Sequence, residues 1–184
     1  MVGLSDQFEE TRDYLLAENE DNWCVLTGMA GVGKTTLAKK VFDDPLIHRH
    51  FEVRAWVRVG RKWESNEMLR CILAQVDPNT HHQMLIHGED NDDETLFGRL
   101  EERLKDKKCL IVLDDVWDTR VRDNLPLKNV RILLTSRLTN KKSSILKLRL
   151  LDEEESKKLP VRRCSVKRIS LLPLRNGERR LPKM

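Results

Sequence analysis

At 184 residues the chain fits one domain, or one domain with part of a second, and its 39% hydrophobic and 35% charged content is that of a soluble globular protein. No apolar run approaches the length of a membrane span, and Met1 to Asp6 has neither the basic start nor the apolar stretch of a secretory signal, so a cytoplasmic protein without a transmembrane segment is expected. The formal charge of +4 is unevenly spread: residues 157–184 hold ten Lys/Arg against one acidic residue, net +9, leaving 24 basic and 29 acidic residues, net −5, in residues 1–156.

In chain order, Ser5 or Asp6 can cap a first helix that puts Phe8, Leu15 and Leu16 on one face, with Glu9 and Glu10 in its first turn. Trp23 to Thr27 is a short apolar strand. It runs into Gly28-Met29-Ala30-Gly31-Val32-Gly33-Lys34-Thr35-Thr36, after which Leu37, Ala38, Val41 and Phe42 keep helical spacing until Asp43-Asp44-Pro45 ends the helix. From Phe51 to Val59, Val53, Ala55, Val57 and Val59 alternate with Arg54, Trp56 and Arg58, which predicts a second strand. Met68, Leu69, Ile72, Leu73 and Val76 then predict a helix with Ser65 or Asn66 as its cap. Asp77 to Asp92, with Pro78 and Gly88, reads as an exposed loop. A helix from about Asp93 to Leu104 buries Leu96, Phe97, Leu100 and Leu104. Cys109 to Leu113 and Val130 to Thr135 are continuous apolar runs of the kind found in strands covered on both faces, ending in Asp114-Asp115 and Ser136-Arg137. Leu146 to Leu150 alternates as an edge or half-exposed strand does.

Metal chemistry of the zinc type has little support. Cys24, Cys71, Cys109 and Cys164 form no C-x-x-C pair, and His81, His82 and His87 have no carboxylate or cysteine at ligand spacing. Cys24 and Cys109 fall in buried strands, where a thiol acts as a small apolar group.

The stretch Gly28 to Thr36 carries the chemistry. Its glycines permit positive φ and close backbone approach, so Gly28, Met29, Ala30, Gly31, Val32 and Gly33 can turn successive N–H groups into one concavity that holds a polyphosphate. Lys34 then reaches the outer phosphates, Thr35 offers a hydroxyl to Mg²⁺, and Thr36 closes the motif. The order strand, glycine loop, helix is the one that such a site requires. In open parallel sheets ligands gather beyond the carboxyl ends of the strands, which predicts Asp114 and Asp115 beside the loop. Asp114 is the candidate Mg²⁺ ligand, Asp115 the candidate for orienting or deprotonating an attacking water, and Arg137 the candidate γ-phosphate contact.

Four motifs in order, Gly28 to Leu37, Phe51 through Trp56-Val57, Leu110-Ile111-Val112-Leu113-Asp114-Asp115-Val116-Trp117, and Ile132-Leu133-Leu134-Thr135-Ser136-Arg137, resemble the nucleotide-binding part of the NB-ARC domain of plant disease-resistance proteins. Asp-Asp-Val-Trp is similar to the coiled-coil-bearing branch of these nucleotide-binding leucine-rich-repeat receptors. The resemblance runs from Val2-Gly3, on the adenine side, to about Ser156. It implies a P-loop NTPase fold with a five-stranded parallel sheet flanked by helices, binding ADP or ATP with Mg²⁺ as the off and on states of a switch, and hydrolysing ATP slowly at most. By the same resemblance Lys34 and the loop hold phosphates, Thr35 and Asp114 serve Mg²⁺, Asp115 serves hydrolysis and Arg137 senses the γ-phosphate. It also implies an intracellular role in defence, with other receptor domains or full-length receptors as partners and no specific nucleic acid. Ala30 stands where the family has glycine, a mild change if φ there is negative.

Beyond Ser156-Lys157, where the family has Ser-Trp, the match stops, and the switch subdomains and leucine-rich repeats of the family have no counterpart. The expected organisation is a nucleotide-binding domain over residues 1–156 and a basic, disordered tail over 157–184, interrupted by Pro160, Pro173 and Pro182. Read one base out of frame, Arg162 to Ser170 can encode Glu-Val-Phe-Gly-Glu-Glu-Asn-Ile, similar to the family's next segment, so a frame change near Ser156 is one origin of this tail. The alternatives to the receptor module are a free-standing P-loop ATPase or kinase, and an inactive receptor fragment.

Overall fold

Among the described residues five strands, β1 (Trp23–Thr27), β2 (Val53–Arg58), β3 (Cys109–Val116), β4 (Val130–Ser136) and β5 (Ser144–Lys147), pair in parallel in the order β2-β3-β4-β1-β5. The computed structural model describes residues 5–18, 21–79, 92–125, 129–138 and 144–147. Among the described residues the helices are α1 (Ser5–Leu16), α2 (Lys34–Phe42), α3 (Pro45–His50), α4 (Ser65–Val76) and α5 (Asp93–Leu104), with a 3₁₀ turn over Thr119–Asn124, and Pro78 and Asn79 are helical where the sequence predicts a loop. The tail, the three histidines of the predicted loop and Val2 lie outside the described residues, as do residues 148–150 of the last predicted strand. That strand begins earlier, at Ser144, and occupies the edge position expected of it.

The strands separate two cores because successive side chains point to opposite faces. Cys109, Ile111 and Leu113 of β3 join Trp23, Val25, Ile132 and Leu134 under α4 and α5. Leu110 and Val112 join Cys24, Leu26 and Leu133 under α1, α2 and α3. Covered on both faces, β1, β3 and β4 are apolar along most of their length up to their polar carboxyl ends, with Arg131 near the start of β4 as the exception, which is why their sequences show no alternation.

Strand β2 alternates because it is an edge, yet its second face is not bare. Phe42 of α2 meets Trp56 edge-on at 5.5 Å between centroids, and Arg54 donates to the Phe42 carbonyl at 2.9 Å. The exposed backbone of this edge is capped by a side chain: Trp56 N–H donates to Gln75 Oε1 at 2.9 Å and Gln75 Nε2 donates back to the Trp56 carbonyl at 3.0 Å. One amide thus satisfies both backbone groups of Trp56 on an edge that would otherwise invite pairing there.

Several expectations are corrected in detail. Helix α1 starts at Ser5, so Asp6 occupies its first turn and Glu9 and Glu10 lie beyond it. Helix α4 is preceded by Glu64 in extended conformation with no side-chain cap, and Ser65 and Asn66 are inside the helix rather than capping it. Helix α3 was not anticipated: Pro45 stops α2 but also begins a new turn, with Asp44 accepting from the N–H groups of Leu46 and Ile47 at 2.8 and 3.4 Å. Proline's fixed φ and missing donor suit a first helical position as well as they oppose an interior one.

Candidate functional site

The loop between β1 and α2 turns on its glycines. Gly31 has φ +79° and Gly33 φ +100°, and Gly33 is the N-cap residue immediately before α2. Added side-chain atoms at Gly31 would meet nothing within 4 Å, so the requirement there is conformational rather than steric. Ala30 avoids the left-handed region, which explains its tolerance. Val32 is buried against α2's core and anchors the loop, while Met29 is 70% exposed. Lys34 folds back over the loop, its Nζ donating to the carbonyls of Gly28 at 2.9 Å and Met29 at 2.8 Å. Partial burial, and then the nearby Arg137, lower the Lys34 pKa, against the opposing pull of Asp115 and Asp114.

Opposite the loop, β4 lies between β1 and β3, so its carboxyl end separates the glycine loop from the paired aspartates. Thr35 Oγ1 donates to Asp114 Oδ1 at 2.7 Å, and Thr135 Oγ1 donates to the same oxygen at 2.6 Å. Thr135 also accepts from Asp115 N–H at 2.9 Å. Asp114 is 6% exposed and Thr135 1%. A regular strand would send Asp114 and Asp115 to opposite faces, but here the register slips: Leu113 pairs with Leu134 and Val116 with Ser136, so two aspartates stand opposite Thr135. Asp115 takes φ +60° in this bulge, a conformation that aspartate tolerates better than most residues. Both carboxylates therefore reach the loop side, and Val116 returns to the core beside Leu113.

Asp115, Thr135, Ser136 and Arg137 face Gly31, Gly33, Lys34, Thr35 and Thr36 across a concavity of about 240 Å³. Asp115 Oδ1 accepts from Trp117 Nε1 at 3.1 Å. Ser136 Oγ donates to the Val116 carbonyl at 2.7 Å and accepts from Leu138 N–H at 3.0 Å, which pins the turn carrying Arg137. A larger concavity, about 580 Å³, lies at the amino ends of the strands among Leu16, Asn22, His50, Lys108 and Arg131, and no residue of the phosphate loop lines it. Size and chemistry point to different places, and the convergent donors and carboxylates decide for the smaller one.

Of the predicted residues, Ala30, Gly31, Gly33, Lys34, Thr35, Thr36, Asp115 and Arg137 line this concavity and Asp114 reaches it through Thr35, whereas Val32 is in the core and Gly28 and Met29 meet the site only through their carbonyls on Lys34. Sequence reasoning missed Thr135, Ser136 and Trp117. Their only signal was polar residues closing an apolar run and an indole after an acidic pair.

A glycine loop joining an inner parallel strand to a helix, faced by an acidic strand end across an intervening strand, defines a P-loop NTPase. A solved structure of the Drosophila ORC bound to DNA shares this fold at TM-score 0.52, with 15% identity, over 80% of this chain and 42% of that one. The chain belongs to the NB-ARC domain family, whose model matches residues 4–165, and it is a nucleotide-binding domain on that ground. It is 35% identical over 142 residues to the Probable disease resistance RPP8-like protein 2 of Arabidopsis thaliana, covering 74% of this chain and 15% of that protein. It is 32% identical over 170 residues to Disease susceptibility protein LOV1 of the same plant, covering 86% of this chain and 18% of that protein. The chain spans less than a fifth of the length of these relatives. No helix among the described residues is long and apolar enough to cross a membrane.

Proposed function

We propose that the chain is the adenine-nucleotide-binding module of a cytoplasmic plant immune receptor, taking ADP or ATP with Mg²⁺ and working with other receptor domains in defence. The observation that carries the reading is the 2.7 Å hydrogen bond from Thr35 to Asp114, which joins the end of the phosphate loop to a buried carboxylate. A hydroxyl and a carboxylate this close, both oxygen donors, suit a small hard cation. Bound there, Mg²⁺ would neutralise phosphate charge. The loop N–H groups and Lys34 hold the phosphates, Thr35 and Asp114 hold the cation, Asp115 orients water for slow hydrolysis, and Arg137 contacts a γ-phosphate. Lys34 leaves two loop carbonyls to do so, exchanging neutral acceptors for a charged one. The names of the relatives support the receptor context.

The test is a calorimetric titration of the chain with ADP and Mg²⁺, beside Lys34→Ala. A charge-assisted contact is worth about 1.5–3 kcal/mol, so affinity is expected to fall roughly ten-fold or more. Equal affinities for the two proteins would reject the assignment.

A further inference from the structure

The loops leaving β2, β3 and β4 converge on one indole. The Arg61 guanidinium carbon lies 4.2 Å from the Trp117 ring centroid, and that of Arg137 lies 4.8 Å from it. The same side chain donates from Nε1 to Asp115 Oδ1. Strand β3 runs between β2 and β4, so Trp117 stands between the two arginines in strand order. Two guanidiniums converging on one place repel each other, whereas the electron-rich face of an indole attracts each of them. Indole adds an edge donor that phenylalanine lacks, so one residue grips a cation by its face and a carboxylate by its edge. Both gripped groups, Arg137 and Asp115, line the phosphate concavity, and Trp117 does not.

We propose that Trp117 is a positioning residue for triphosphate recognition: its ring face seats Arg137 and its N–H seats Asp115, so that discrimination between ATP and ADP passes through the indole. This rests on the nucleotide-binding reading above. Arg137 is an exposed, long side chain, and leaving it unseated spreads it over many rotamers. A γ-phosphate would then have to order the arginine as well as bind it. Contacts to the inner phosphates come from the loop and do not involve this seat.

The full chain is titrated with ADP and with a non-hydrolysable ATP analogue, each with Mg²⁺, as wild type, Trp117→Leu and Trp117→Phe. The readout is the ratio of the two Kd values. Trp117→Leu should shift that ratio about five-fold against the triphosphate, the scale of one lost cation–π seat. Trp117→Phe keeps an aromatic face and should restore at least half of the discrimination on a logarithmic scale. A leucine variant with an unchanged ratio, or a phenylalanine variant as impaired as leucine, overturns the proposal while leaving nucleotide binding intact. If the leucine variant does not fold, the phenylalanine variant and Arg61→Gln decide: removal of Arg61 should leave Arg137 on the ring and the ratio within two-fold, and a larger shift overturns the proposal. A wild type that binds neither nucleotide overturns the underlying reading and this one with it.

Discussion

Two threonine hydroxyls bond one oxygen of Asp114, and their different burial predicts opposite consequences for their loss. Thr135 is buried, donates to the carboxylate at 2.6 Å and accepts from Asp115 N–H at 2.9 Å. Thr135→Val keeps the shape and removes both bonds. A bond to a charged group contributes about 1.5–3 kcal/mol and an ordinary one about 1 kcal/mol. The Asp115 donor is in addition fixed in a bulge at φ +60°, where it cannot easily turn elsewhere. The expected loss is therefore about 2.5–4 kcal/mol, a large share of the roughly 5–15 kcal/mol that holds a domain folded. Thr35 is exposed, and water replaces its hydroxyl, so Thr35→Val should cost less than about 1 kcal/mol of stability. Binding should reverse the order: Thr35→Val should remove most of the dependence of ADP affinity on Mg²⁺. Urea unfolding gives the stabilities, with Thr135→Ser, which keeps the hydroxyl, recovering most of the loss. A Thr135→Val protein within 0.5 kcal/mol of wild type, at unchanged m-value, would refute the reasoning.

Further outcomes follow from other parts of the molecule. Lys34 has a lowered pKa through burial and Arg137, and a bound polyphosphate should raise it; affinity is then constant below the free-state pKa and falls as pH rises through it toward the complex value. Calorimetry of ADP binding in buffers of different ionisation heat should show proton uptake on the alkaline side, and proton release there would contradict this. Burial pushes the Cys24 thiol up to about 12 and Cys109 up to about 11, whereas Cys71 is exposed. Native-state alkylation near pH 8 followed by mass mapping should label Cys71 long before Cys24 or Cys109, and equal labelling would be a failure. Asp44→Ala removes the acceptor for two N–H groups of α3 and should cost about 1 kcal/mol in thermal unfolding.

Some of this protein was determined by sequence alone. The phosphate loop is local: its glycines, its lysine and the apolar strand before it act within a dozen residues, so the pattern Gly28 to Thr36 specifies its own conformation. Burial on both faces forces unbroken apolar runs, which made Cys109–Leu113 and Val130–Thr135 readable as inner strands, while the alternation of Phe51–Val59 marked a strand without its place in the sheet. Helix α3 was hidden because an Asp-Pro pair is equally a stop and a start, and the choice depended on Ile47 finding a place in the core. The tertiary structure decided the site itself. Only the order of strands sets β4 beside both the loop strand and the aspartates, which lets Thr135 hold Asp114 and the Asp115 N–H together. Only the slip of β3 against β4 brings Asp115 to the same side as Asp114, because strand periodicity taken by itself would have parted them. The Trp117 contacts join residues 56 and 20 positions away in the chain, a separation at which pairing is fixed by the packing of three strand ends and not by any local pattern.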